Sequence, residues 1–227
     1  MEIVKNNIFN MLNKGERALL FETGLLVQQM QLNDCGEAAM VFEKIRELLK
    51  YHLARTAHIE KTIFGFIPAA ESKTIEQVKQ QYAKLKTAAE NMLSAINRFD
   101  DSSVDYELNI FSSRLTDLFY DFSGDCLQFL NSEEKVLKQI LAKSYDDKSL
   151  CALGKELLCN IGIEIKPTVF KYIIRGTSDP EITRLLNAAK LAAPASELEQ
   201  LMCLAETELP EKRWMRVQEG LQDGLCL

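Results

Sequence analysis

The sequence predicts an all-α protein, an up-down four-helix bundle over residues 1–146 with a helical C-terminal extension over residues 147–227. Three observations carry this. Only 10 Gly and 5 Pro occur in 227 residues, which favours long helices over turn-rich strands. Four long segments fill the first two-thirds of the chain, each with apolar residues at helical spacing. Beyond Tyr145-Asp146-Asp147 the pattern shifts to shorter amphipathic runs.

The first segment, residues 6–32, carries Ile8, Leu12, Leu19, Leu20, Leu25, Leu26 and Met30 at helical spacing. Residues 33–36 read as a break, with Asn33 or Asp34 placed to cap a second helix. That helix, residues 37–66, carries Val41, Ile45, Leu48, Leu49, His52, Ile59 and Ile63, and Pro68 ends it. A third helix begins at Ser72 or Thr74, where Thr74 and Gln77 have the spacing of a capping box. It runs through Val78, Tyr82, Leu85, Ala89, Met92, Leu93 and Ile96 to residue 99. Residues 100–103 form a turn. The fourth segment, residues 104–143, is long enough to expect a kink or break at Ser123-Gly124. Short loops between four such helices make an up-down bundle. The extension divides into helices over 148–160, 168–174, 180–191, 196–207 and 211–221. There Asp179 is the expected N-cap, followed by Pro180 at the first helical position, and Pro194 and Pro210 mark later boundaries.

Composition excludes several classes of function. A net charge of -6 gives no basis for nucleic-acid binding, which needs clustered Lys and Arg. Lys79, Lys84 and Lys86 are interleaved with Glu71, Glu76 and Glu90, the pattern of a solvated helix face. The N-terminal MEIVKNNIFN has no apolar run of a signal peptide, and no apolar stretch approaches the roughly 18 to 20 residues that span a bilayer. The expected address is the cytoplasm. Six cysteines form no CxxC pair, so they are expected to be reduced and buried rather than zinc ligands. Phosphate loops and nucleophile elbows are absent. A Cys–His catalytic pair would require Cys126 or another thiol to meet a histidine in space, and nothing in the sequence requires that meeting.

Two motifs resemble those of bacterial hemerythrin-like (HHE-type) proteins. AHIEKTIFGFI, residues 57–67, is similar to the second-helix motif, with Gly65 where a proline is usual. LQFLNSEEKVLKQIL, residues 127–141, looks like the fourth-helix motif; its Glu133-Glu134 pair is present, but Phe129 stands at the ligand histidine. Near the N-terminus, NKGERALLFETG (13–24) resembles the first-helix motif, with Asn13 in the histidine's place. The tail from Ala193 to Trp214 is similar to a helical extension on some bacterial members. The resemblance implies a four-helix bundle around a di-iron centre that takes most of its ligands from histidine. The chain holds only His52 and His58.

Helical geometry tests that centre. Ligands sharing a site on one helix lie at i+3, i+4 or i+7, and the one-turn neighbours of His52 and His58 include no carboxylate and no further histidine. His58 and Glu60 lie about 160° apart, on nearly opposite faces, while His52 and Glu60 are about 80° apart with roughly 12 Å of axial rise. On the fourth helix, Asp121 and Asp125 lie one turn apart. So do Phe129 and Glu133. The alternative to a ligand for His52 is a hydrogen-bonded core residue, for His58 a surface or interface residue, and for Glu133-Glu134 a solvated pair. Phe111, Phe119, Tyr120, Phe122 and Phe129 would then fill the space of a metal centre, exchanging polar groups for apolar packing.

The expected function is therefore non-enzymatic: a hemerythrin-like scaffold without its di-iron centre, acting as a binding or regulatory module. No cofactor is expected, and iron if any. The expected partner is a protein or a small apolar ligand, with neither nucleic acid nor membrane. The alternative is a metal-binding sensor or carrier for oxygen, nitric oxide or iron. It requires His52, His58, Glu60, Asp125 and Glu133 to converge as a reduced ligand set. A third reading is assembly through an exposed apolar stripe around Leu201, Leu204 and Trp214.

Overall fold

Propensity and hydrophobic spacing give helix throughout. In the computed structural model, which describes residues 8–31, 34–99 and 105–222, the described residues form nine α-helices and no strand. These are α1 (Ile8–Gln29), α2 (Cys35–Ile63), α3 (Ser72–Phe99), α4 (Asp105–Ser144), α5 (Asp147–Cys159), α6 (Lys166–Gly176), α7 (Asp179–Ala192), α8 (Ala195–Glu208) and α9 (Glu211–Gln222). The all-α class read from the sequence holds. None of these helices is long and apolar enough to cross a membrane.

Local chemistry sets the boundaries. Asp34 caps α2, its carboxylate accepting from the N–H groups of Gly36 at 2.9 Å and Glu37 at 3.0 Å. Asn33, the other candidate cap, lies outside the described residues, as does the turn expected at 100–103. The α2 helix stops at Ile63 rather than residue 66, tightening into a 3-10 turn, Phe64–Phe66, ahead of Pro68. A second such turn, Ala69–Glu71, leads directly into α3. Thr74 therefore lies inside the helix, and the capping box expected there is not formed.

Nor does α4 break at Ser123-Gly124. The Ser123 hydroxyl donates back to the Phe119 carbonyl at 2.7 Å, and the helix runs on for 40 residues. A glycine weakens a helix interior by only ~1 kcal/mol, which the buried Phe119, Phe122, Cys126 and Phe129 around it offset by packing.

Residue contacts divide the chain into two units, Leu19–Gly162 and the combination of Met1–Ala18 with Ile163–Leu227. This grouping places α5 with the preceding helices, whereas the sequence pattern changes at 146/147. In the Leu19–Gly162 unit, α3 packs along α4, and α2 packs against α3 and α5. Side-chain partners give the directions. Glu71, Tyr82 and Lys84 of α3 and the turn before it meet Lys143, Glu133 and Asp125 of α4, in reversed order. Phe42, His52 and Arg55 of α2 meet Phe111, Cys126 and Glu133, in the same order. Thus α3 runs antiparallel to α4, while α2 runs parallel to it.

The other unit has its own core of Ile174, Ile182, Leu186, Ala205, Leu209, Trp214 and Val217. Leu201 and Leu204 are half-buried against that cluster and Trp214 is only 8% exposed, so the stripe expected to face outward packs largely on this core. Ser178, not Asp179, caps α7. Its N–H donates to Glu181 Oε2 at 2.9 Å and its hydroxyl donates to the same oxygen at 2.7 Å. Lys14 Nζ donates to Glu181 Oε1, also at 2.7 Å. Gly176 ends α6 where no side chain fits, because a Cβ there would lie 2.4 Å from the Lys14 carbonyl oxygen.

Candidate functional site

The inward-facing register of three helices brings charge into the Leu19–Gly162 unit. On α2 the buried positions run Leu48, Leu49, His52, Arg55, Thr56, Ile59; on α4 they run Phe122, Cys126, Phe129, Leu130, Glu133, Leu137; on α3 they include Val78, Tyr82 and Leu85. Arg55 and Glu133 thus occupy core positions on neighbouring helices, at 2% and 1% exposure. The Arg55 guanidinium donates through Nη2 to Glu133 Oε2, and the Tyr82 hydroxyl donates to Glu133 Oε1. Both carboxylate oxygens are engaged. The site is charge-balanced, which a buried ion requires.

Aromatic rings enclose it. Tyr82 packs edge-on against Phe129 with centroids 5.0 Å apart and stacks on Phe64 at 5.8 Å. The Lys79 ammonium lies over the outer ring, 5.8 Å from the Phe64 centroid. These contacts fix the phenol that completes the carboxylate's shell.

A second polar pair lies on the same two inner faces. His52 Nδ1 is 3.9 Å from Cys126 Sγ, and the imidazole meets the edge of Phe122 at 5.4 Å between centroids. Sequence reasoning had no cause to join these residues, which are 74 apart in the chain. The Thr56 hydroxyl donates to the His52 carbonyl at 2.9 Å, within the helix that carries the imidazole.

The five residues weighed as a ligand set go to different places. His52 and Glu133 are interior. His58 is half-buried, with Nε2 2.7 Å from the Leu157 carbonyl of α5, so that nitrogen carries a proton and donates. Glu60 is exposed. Asp125 pairs with Lys84 Nζ at 2.7 Å, both partners partly open to solvent. The Glu133-Glu134 pair is not solvated as a pair: Glu133 is buried and only Glu134 reaches partial exposure. Tyr120 points outward at 46% exposed instead of filling the interior, because it lies between the buried positions of Phe119 and Phe122. Of the cysteines expected to be buried, Cys126 is, Cys151 is half-buried, and Cys159 and Cys203 are exposed; all four are free thiols.

These side chains do not fit a di-iron group. Such a centre needs several imidazoles and bridging carboxylates free to ligate. Here the His58 imidazole donates to a helix carbonyl, and the Glu133 carboxylate is bonded to a guanidinium whose positive charge would repel a cation. No family model matches the chain, and no curated protein or solved structure matches it either.

Proposed function

We propose that this chain is a hemerythrin-like up-down bundle that lacks the di-iron chemistry and acts as a non-enzymatic binding or regulatory module in the cytoplasm. The observation that carries this reading is the Arg55–Glu133–Tyr82 network. A guanidinium and a phenol engage the Glu133 carboxylate, which is buried on the inner face of α4. A bundle whose buried carboxylate is already neutralised by its own side chains retains outer helix faces for a protein partner or a small apolar ligand. The opposed directions of α3 and α4 and the parallel course of α2 and α4 support the up-down arrangement.

Elemental analysis after anaerobic loading with ferrous iron, read with the visible spectrum in air, tests the proposal. The expected result is no stoichiometric iron and no oxo-bridge charge-transfer band, with helicity unchanged by chelator. About two irons per chain with that band would overturn it.

A further inference from the structure

The network around Glu133 leaves the second buried pair, His52 with Cys126, unexplained. We propose that these two side chains form a site for one thiophilic d10 cation, zinc(II) or copper(I), independent of the di-iron question. Thiolate and imidazole are the donor types that select such ions over hard ones. Their spacing is suitable. With metal–sulfur bonds of about 2.3 Å and metal–nitrogen bonds of about 2.0 Å, an ion between them needs sulfur and nitrogen about 3.5 Å apart at a tetrahedral angle and about 4.3 Å apart in line. The observed separation of Sγ and Nδ1 is 3.9 Å, inside that range, and long for a direct thiol–imidazole hydrogen bond.

The donors are also held in place. Each projects from the inner face of a long helix, α2 or α4, and the Phe122 ring edge packs on the imidazole at 5.4 Å. Cys126 is 0% and His52 1% exposed, so both donors are interior. Loading proceeds by Cys126 giving its thiol proton to solvent and its sulfur forming the metal–sulfur bond. Neutral imidazole binds through Nδ1, with its proton on Nε2. No electron is exchanged, and one proton leaves per ion.

The test uses the full chain with Cys35, Cys151, Cys159, Cys203 and Cys226 changed to Ser, kept reduced. It is titrated anaerobically with copper(I) and with cobalt(II) as the spectroscopic stand-in for zinc, both by incubation and by refolding with the metal. The expected result is one ion per chain from at least one of the two metals, with one sulfur and one nitrogen neighbour by X-ray absorption. A thiolate-to-cobalt charge-transfer band is expected if the zinc(II) arm holds, and uptake by copper(I) alone if the site is a copper site. Affinity should fall at least tenfold in Cys126→Ser and in His52→Phe. Unchanged uptake in Cys126→Ser, a bound ion without a sulfur neighbour, or no uptake of either metal by the refolded parent would each overturn the proposal. The parent's own absorption spectrum decides the matter even if a variant fails to fold. Iron loading remains a separate readout, so the two proposals fail independently.

Discussion

At Glu133 a carboxylate lies in a setting that tolerates charge only when it is met in full. Burying an ion is costly, and removing one partner leaves the other uncompensated. Tyr82 supplies one of the two bonds. Tyr82→Phe keeps the ring against Phe129 and Phe64 and deletes the hydroxyl alone. Because bonds to charged groups contribute about 1.5–3 kcal/mol, urea denaturation of this variant should show a loss of that size; an unchanged midpoint would mean that the hydroxyl is not bonded to Glu133. The signal for this network was present in the sequence. Arg55 falls in the same helical register as Leu48, His52 and Ile59, and Glu133 in that of Cys126, Phe129 and Leu137. Two core-register residues of opposite charge on different helices form a pairing pattern. It was hidden because the adjacent Glu134 made Glu133 look like half of a surface pair. The meeting of His52 with Cys126 had no such signal, since helical phase alone does not fix which heights on two helices coincide.

Among the elements, capping and proline chemistry placed most boundaries to within a few residues, while interior glycine and serine misled. Asp34, Pro68, Pro194 and Pro210 act where sequence rules put them. Gly124 does not, because a helix packed on one face passes over a glycine on the other. The start of α7 joins capping to pH. Burial by itself would raise the Glu181 carboxyl, but the Lys14 ammonium and the N–H and hydroxyl of Ser178 outweigh it and hold the group down from 4.5 to about 2. A depressed carboxyl contributes stability that is fully present above its ordinary value and is lost as pH falls through the folded one. Thermal melts of the chain should therefore fall steadily between pH 4.5 and about 2, and Glu181→Gln should lower the melting temperature at neutral pH while flattening that slope. An equal slope in both proteins would remove Glu181 from the account. Asp179 next to it is shifted the same way: burial opposes ionisation, but hydrogen bonds and charge from Arg213 and Arg216 prevail.

For the whole molecule, the all-α class was legible because period and composition report helix directly. The grouping of helices into units was less so. The half-buried His58 of α2 meets the last turn of α5, a tertiary contact that no change in local pattern announces. The Arg55–Glu133 charge inside the Leu19–Gly162 unit is a structural pair. The most direct test is a double-mutant cycle on Arg55→Met and Glu133→Leu, read by urea unfolding. Each single change should cost about 3–5 kcal/mol, since it strands a buried charge, and the double variant should recover much of the loss. Single costs that simply add, to within about 0.5 kcal/mol, would contradict it.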